Sequence, residues 1–450
     1  MPAVEEYGVE PIPAELRTVG WRDLFALLFA FNLSPLMYVL GALAVTVGNL
    51  PLWWAAASIG LGTLTANVML VLVARAGVDY GLPGQVAMRA TFGQLGARGL
   101  TSPYRVVASA YWFAAQALAG ALGFQALIAA LTGDDLPLVP VALVLAALGA
   151  LLAVVGFDAL RYVVRVVLPL SLVFVVIVVA VYVAADEPAF RVSLVLDSPA
   201  QAFTWLGFAT FVTVMCGGQL TLVTNVADFF RYARSRRHMQ VGLLAGSTTG
   251  SFVGAWVGAY GAVAIGQGNP FAAAADLTGN AVLLVVLLVA VLAQTVSVNV
   301  ANVYTGGLSL VNSVPRLGRF ATTALVAAAS VGLSAFPGFI EDAQEWFVHL
   351  GNVAAPLTGV VLADYLVVQR GHIAVDELFD PNGRYRFTRG INLAAVVSVA
   401  AGIGAYYAVG DGWLKVLWGV AVAALAYLIL RGVQQIVAPQ TESARRTSYA

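Results

Sequence analysis

The stretch Leu27-Leu28-Phe29-Ala30-Phe31-Asn32-Leu33-Ser34-Pro35-Leu36-Met37-Tyr38 lies in the middle of an apolar run over residues 22–47. Such a run can cross a bilayer, which takes about 20 mostly apolar residues. Two residues disturb it at mid-depth. Pro35 has no amide hydrogen and crowds the preceding turn. Asn32 brings an amide side chain to a depth where hydrocarbon offers it no partner. An Asn so close to a Pro predicts a broken helix whose freed carbonyls line a cavity. A simple proline kink is the plainer alternative.

Eleven more apolar runs follow, near 51–75, 103–131, 137–156, 160–185, 200–226, 241–266, 281–312, 320–336, 346–369, 391–409 and 413–436. They are continuous rather than alternating, which argues for helices and against a β-barrel. Composition agrees. Of 450 residues, 60% are apolar and only 10% charged, against roughly 25% charged in a soluble domain. That excludes a soluble enzyme and a disordered chain. Cys216 is the only cysteine and there are three histidines, so neither a disulfide framework nor a thiolate or His-rich metal site is expected. A net charge of zero leaves no global basic field for nucleic acid. The expected fold is an all-α polytopic membrane protein with about twelve transmembrane helices in a lipid bilayer, and no oligomeric signature stands out.

Basic residues set the orientation. With the N-terminus inside, every Lys and Arg except Arg191 and Lys415 falls in an inside segment. The outside segments hold the acids Asp134, Asp135, Asp186, Glu187, Asp197, Asp276, Glu341, Asp342, Glu345 and Asp411. The alternation holds across all twelve runs, so both termini are expected in the cytoplasm and the chain in the cytoplasmic (inner) membrane. Residues 1–20 carry Glu5, Glu6, Glu10 and Glu15 and show no cleavable leader, and they read as a cytoplasmic arm. The remaining order is a first five-helix unit over 21–185, a second over 200–369, a polar loop over 370–390, two accessory helices over 391–436 and a tail over 437–450. Five plus five weakly hints at inverted repeats.

Charge is nearly absent deep in these runs. Asp228 and Asp364 fall near inner helix ends and read first as anchors, and His349 lies near an outer end. The uncharged polar residues say more. The sixth run carries Cys216-Gly217-Gly218-Gln219 at mid-depth, where paired glycines permit either unwinding or close helix packing. Two interrupted helices at corresponding places in two repeats point to a midplane site. In the third run, Trp112 and Gln116 share a face at i,i+4. An indole beside an amide suits a flat heteroaromatic ligand, although a packed Trp and an interhelical Gln would look the same. The eighth run holds Thr295, Asn299 and Asn302 on one face, with Ser297 roughly 140° from Asn302 at about 100° per residue.

These residues favour a transporter of a small neutral ring. An amino-acid or amine permease is the alternative, but no deep acid is present for an amine. A membrane enzyme would need a metal motif or a nucleophile–base pair, and a channel a repeated filter or charged ring. Neither pattern occurs in the sequence.

Several short motifs, taken together, resemble the nucleobase–cation symporter family, especially its cytosine/purine permease branch. They are Pro11-Ile12-Pro13-Ala14-Glu15-Leu16-Arg17-Thr18 with Trp21, Gly81-Leu82-Pro83 with Arg89-Ala90-Thr91-Phe92-Gly93, and Ala227-Asp228-Phe229-Phe230-Arg231-Tyr232. Asn302-Val303-Tyr304-Thr305-Gly306-Gly307-Leu308-Ser309 is similar too, as are Pro356 with Ala363-Asp364-Tyr365 and Leu378-Phe379-Asp380 through Gly383-Arg384-Tyr385. The resemblance implies a leucine-transporter-like fold of two inverted five-helix repeats plus two helices. It also implies uptake of a nucleobase or related ring with Na⁺ or H⁺, and no other cofactor. The family's third-helix Trp and Gln fall on Trp112 and Gln116, and its eighth-helix Asn on Asn302. Its sixth-helix Gly–aromatic pair falls on Gly218 and Gln219, where the aromatic is missing. Asn32, at the break in the first helix, completes the expected substrate set. The resemblance puts the ion at Leu33, Ala293 and Ser297. Sodium-coupled relatives carry adjacent hydroxyls where this chain has Val296 and Ser297. With one hydroxyl lost, H⁺ is expected over Na⁺ at Ser297, and His349 and Asp228 are the nearest proton carriers.

Overall fold

A computed structural model of the protein describes residues 9–155, 157–197, 202–266 and 268–447. Among the described residues there is no β-strand, only two isolated bridges. Twelve helical rods stand where the twelve apolar runs were read, and they are numbered here as spans. Span 1 is Trp21–Asn32 plus Pro35–Thr46, span 2 Leu52–Val73, span 3 Ser102–Thr132, span 4 Leu138–Val155, span 5 Phe157–Ala184 and span 6 Trp205–Leu220. Span 7 is Thr248–Ile265, span 8 Ala281–Ser313, span 9 Gly318–Leu333, span 10 Ala343–Ala363, span 11 Leu393–Ala408 and span 12 Lys415–Thr447. By length and hydropathy, seven described helices can cross a bilayer, or eight with the bent pair of span 1. Spans 4 and 11 are apolar but shorter. Span 7 lengthens through a π-turn at Val241–Ser247, and span 9 has only 16 residues. Span 12 runs on to Thr447, past the boundary at 436 that hydropathy suggests.

The first span breaks where Asn32 and Pro35 predict. Its first half ends at Asn32, Leu33 and Ser34 leave helical geometry (φ −96°, ψ 71° and φ −135°, ψ 158°), and Pro35 opens a second half bent by 56°. Proline at a first helical position loses no bond, so the broken form costs less than a kinked one. Span 6 breaks later than expected. Its helix runs unbroken through Gly217 and Gly218, and the interruption is a 3₁₀ turn at Thr221–Thr224 followed by Asn225 at φ −144°, ψ 0°. The two glycines serve close packing instead. A Cβ on Gly217 would lie 3.0 Å from the Gly351 Cα, and one on Gly218 would lie 2.3 Å from Phe347 Cδ1.

The described start of the chain and the stretch of span 12 that holds Tyr427 and Arg431 lie at one end of the bundle. There Ile12 donates its amide to the Gly81 carbonyl (3.0 Å), and Arg17 binds the carbonyls of Ile12, Val78 and Asp79. The arm from Ile12 to Arg17 is therefore a docked strap. Gly81 holds φ +71°, and any Cβ there would sit 2.4 Å from the Ile12 carbonyl oxygen. The same end carries a short helix, Gly84–Phe92, whose nine residues are all buried. Asp228 accepts the Gly84 amide (2.7 Å) at its N-terminus, where a carboxylate is favoured. Near its C-terminus Thr91 donates to Asp364, which also accepts from Tyr427 (2.7 Å). Between them Arg89 donates to Asn312 Oδ1 of span 8 (2.6 Å), and burial, with Arg98 adding, pushes the Arg89 guanidinium down to about 10. Asp228 and Asp364 thus both tie this helix to the rest of the bundle.

Candidate substrate site

Between the broken first and sixth spans lies a cavity with about 730 Å³ of empty space, counted out to its mouth. Asn32, Trp112, Gln116, Gly218, Gln219 and Asn302 all line it. The six residues singled out from four separate spans therefore meet at one place. Phe31 and Phe229 also face it, edge to face at 6.0 Å.

Each polar side chain is held by the surrounding helices, which limits what it can offer a ligand. Gln116 fastens the break of span 1: its Oε1 accepts the Leu36 amide (3.4 Å) and its Nε2 donates to Ser34 Oγ (2.9 Å). That leaves one proton and one lone pair on its amide. Trp112 donates its indole N–H to Thr221 Oγ1 (3.1 Å), and Thr221 in turn donates to the Gly218 carbonyl (2.7 Å). Phe347 of span 10 meets the Trp112 ring at 4.7 Å, edge on. The sixth-span aromatic that the family would supply is absent, and Gly218 instead makes room for Phe347.

Gln219 donates both protons, one to Asn67 Oδ1 and one to Ser247 Oγ, each at 3.0 Å. The assignment is fixed by Asn67, whose Nδ2 donates to the Leu243 carbonyl (3.1 Å) and so turns its oxygen toward Gln219. What Gln219 can offer a ligand is its carbonyl oxygen. Asn32 belongs to the same network: its Nδ2 donates to Ser247 Oγ (3.1 Å) and its Oδ1 accepts from Ser251 (2.9 Å). Asn302 differs. Its Nδ2 is buried with no partner, a donor that pays a desolvation cost until something accepts from it.

Of the other polar residues of span 8, Thr305 reaches the cavity, whereas Thr295 and Asn299 do not. Thr295 fits against Gly120, and Asn299 against Gly149. The cavity face of span 8 is Val298, Ala301, Asn302 and Thr305, an i, i+3, i+4, i+7 stripe. The ion positions lie off the cavity too. Leu33 is buried in the break, Ala293 is half-buried, and Ser297 donates to the Gln294 carbonyl of its own helix (3.0 Å). His349 is exposed. Among the described residues no group of three or more His, Cys, Asp or Glu could hold a metal ion.

Two cavity residues escape a reading by loops and motifs. Arg105 counts as an inside charge in the sequence, yet it is 1% exposed and lines the cavity. This corrects the expectation that a ligand would meet no deep charge. Asn225 also lines the cavity, is fully buried, and has no partner for either Oδ1 or Nδ2.

A mostly apolar cavity with a few polar side chains set round it, between two broken helices of a many-spanned bundle, defines a multi-pass membrane permease. Residues 11–430 match the family described as permease for cytosine/purines, uracil, thiamine, allantoin, and the chain belongs to that family. A hydantoin permease of Microbacterium maritypicum is 25% identical over 92% of this chain and 86% of its own length. An allantoin permease of Bacillus subtilis (strain 168) is 26% identical, covering 94% and 92%. Among solved structures, a nucleobase-cation-symport-1 family transporter, closed with bromovinylhydantoin bound, superposes with a TM-score of 0.82 at 20% identity, covering 96% of each chain. The fold is thus the leucine-transporter-like one, five plus five helices and two more.

Proposed function

We propose that the protein carries a neutral nucleobase or related heterocycle into the cell by cation symport, with the rods of 21–185 and 200–369 moving against each other around the cavity. The observation that carries this reading is the meeting of Asn32, Trp112, Gln116, Gly218, Gln219 and Asn302 around one cavity at two helix breaks. Trp112 stacks the ring, Gln116 and Asn302 bond its polar edge, and Gln219 accepts from it. The end that carries the docked arm from Ile12 to Arg17 faces the cytoplasm, in keeping with its basic loops. The chain acts as a carrier rather than an enzyme. Uptake of radiolabelled cytosine, adenine, uracil, allantoin and hydantoin into proteoliposomes tests this, and failure to accumulate any of them would refute it.

For the coupling ion the reading is H⁺. Val296 cannot ligate a cation, which leaves Ser297 as the one hydroxyl where sodium-coupled relatives carry two; its O–H donates to the Gln294 carbonyl and only its lone pairs remain for an ion. A hard cation gains too little from such a site to shed its water. Uptake driven by a pH gradient alone is expected. Uptake driven by Na⁺ alone, and lost in Ser297→Ala, would reverse this reading.

A further inference from the structure

Arg105 and Trp112 converge on one residue. Arg105 donates from Nε to Ser109 Oγ (2.8 Å) and from Nη1 to the Thr221 carbonyl (3.5 Å), while the Trp112 indole binds the Thr221 hydroxyl (3.1 Å). Arg105, Ser109, Trp112 and Gln116 follow at i, i+4, i+7 and i+11, one face of span 3. The bond to Ser109 turns the guanidinium along the helix toward Trp112. It therefore sits at one edge of the surface on which a ring would stack. Among the described residues Arg105 makes no salt bridge. A guanidinium has five N–H donors and no acceptor, and only two nitrogens have a protein partner. Four residues past Thr221, Asn225 adds a buried amide whose donor and acceptor are both unpaired.

We propose that Arg105 and Asn225 together read a lactam edge, a ring N–H beside a ring carbonyl, and reject a ring that offers an exocyclic amine there instead. The inference rests on the permease reading and narrows its substrate class. Asn225 closes a two-bond amide pair with the lactam, accepting from N–H at Oδ1 and donating to the carbonyl from Nδ2. That pairing alone would not discriminate, because an amide also matches a ring nitrogen beside an amine. Arg105 decides. As a group that only donates, it reinforces a carbonyl and opposes an amine, and in the low dielectric of a buried site an unmet donor is costly. Oxopurines, oxopyrimidines and cyclic ureides carry such an edge, whereas adenine has none.

The test is a calorimetric titration of the purified full-length protein against matched pairs in two ring sizes. The pairs are hypoxanthine with adenine, and 4-pyrimidinone with 4-aminopyrimidine. Uracil and hydantoin serve as further lactams. In whichever size binds, the oxo ring should bind at least about tenfold tighter than its amino twin. Arg105→Gln should cut that ratio to about threefold or less, and Arg105→Lys, which keeps a donor and the charge, should retain most of it. Asn225→Ala should weaken the oxo ring about tenfold. Equal or tighter binding of the amino ring by the wild-type protein overturns the inference and leaves the permease reading standing. If no ring of either kind binds, the permease reading falls and the inference with it.

Discussion

Replacing Gly218 by alanine should disturb the substrate site through a residue that does not line it. A Cβ built on Gly218 falls 2.3 Å from Phe347 Cδ1 and 2.5 Å from Cε1. Carbon atoms rest at 3.5–4.0 Å, so the ring must retreat by about 1.2 Å or more. Phe347 is fully buried, and its ring already meets Trp112 at 4.7 Å and Tyr111 at 6.1 Å. The displacement is therefore passed to the Trp112 indole. Overpacking of this kind costs about 1–3 kcal/mol. Read as affinity, that is roughly 5- to 150-fold weaker binding of the transported ring. Phe347→Leu alone should cost about 1 kcal/mol, since an apolar group is kept. In the double variant the smaller side chain makes room for the new methyl, and the two losses should fall short of their sum by at least about 1 kcal/mol. Titration of the four proteins with one transported base, alongside their melting temperatures, gives the cycle. Additive losses would refute the contact as the route to Trp112.

Trp112→Ala should lose stacking worth on the order of 1 kcal/mol, and Asn302→Ala roughly 1–3 kcal/mol, both read as weaker binding with normal membrane expression. Wild-type affinity in Asn302→Ala would remove it from the site. Asp364→Asn keeps the shape but gives up the charged acceptor that Thr91 and Tyr427 share, so a fall in thermal stability of about 1–3 kcal/mol is expected, and Tyr427→Phe should show a smaller one. Gly81→Ala strains a left-handed residue against the Ile12 carbonyl, which should release the N-terminal strap and expose it to limited proteolysis. Single cysteines at Asp134, Asp276 and Asp411 in Cys216→Ala should react with an impermeant thiol reagent from outside intact cells, and one at Arg236 should not. The reverse pattern would invert the topology.

The break in span 1 was legible because Asn32 and Pro35 announce it in adjacent turns. The break in span 6 was not. Thr221-Leu222-Val223-Thr224 contains no Gly or Pro, and the glycines before it were serving the approach of spans 6 and 10. Trp112 and Gln116 were readable from one helix face. Their neighbours Asn67 and Ser247 were not, since each stands among other small polar residues (Thr63 and Thr65, Thr248 and Thr249) and gains meaning only beside Gln219. Arg105 misled for a different reason. It stands three residues inside the helix that begins at Ser102, so a count by loops gives it the correct side of the membrane and the wrong surroundings. Which face of span 8 meets the cavity also needed the fold, because Thr295 and Asn302 lie close on the helical wheel and only tertiary packing separates them.

The buried helix Gly84–Phe92 touches parts of the bundle that a rocking carrier must move apart. Asp228 ties it to the stretch beyond span 6, Asn312 to span 8, and Asp364 to spans 10 and 12. Hydrogen bonds to charged groups are worth about 1.5–3 kcal/mol each, and a shift from 1:99 to 99:1 between two conformations takes about 5.5 kcal/mol. Two or three such ties are therefore enough to decide on which side an empty carrier waits. Trimming one tie, as in Asn312→Ala, should therefore change how often the unloaded protein turns over, and with it the exchange rate between internal and external substrate, while leaving every contact to the substrate intact.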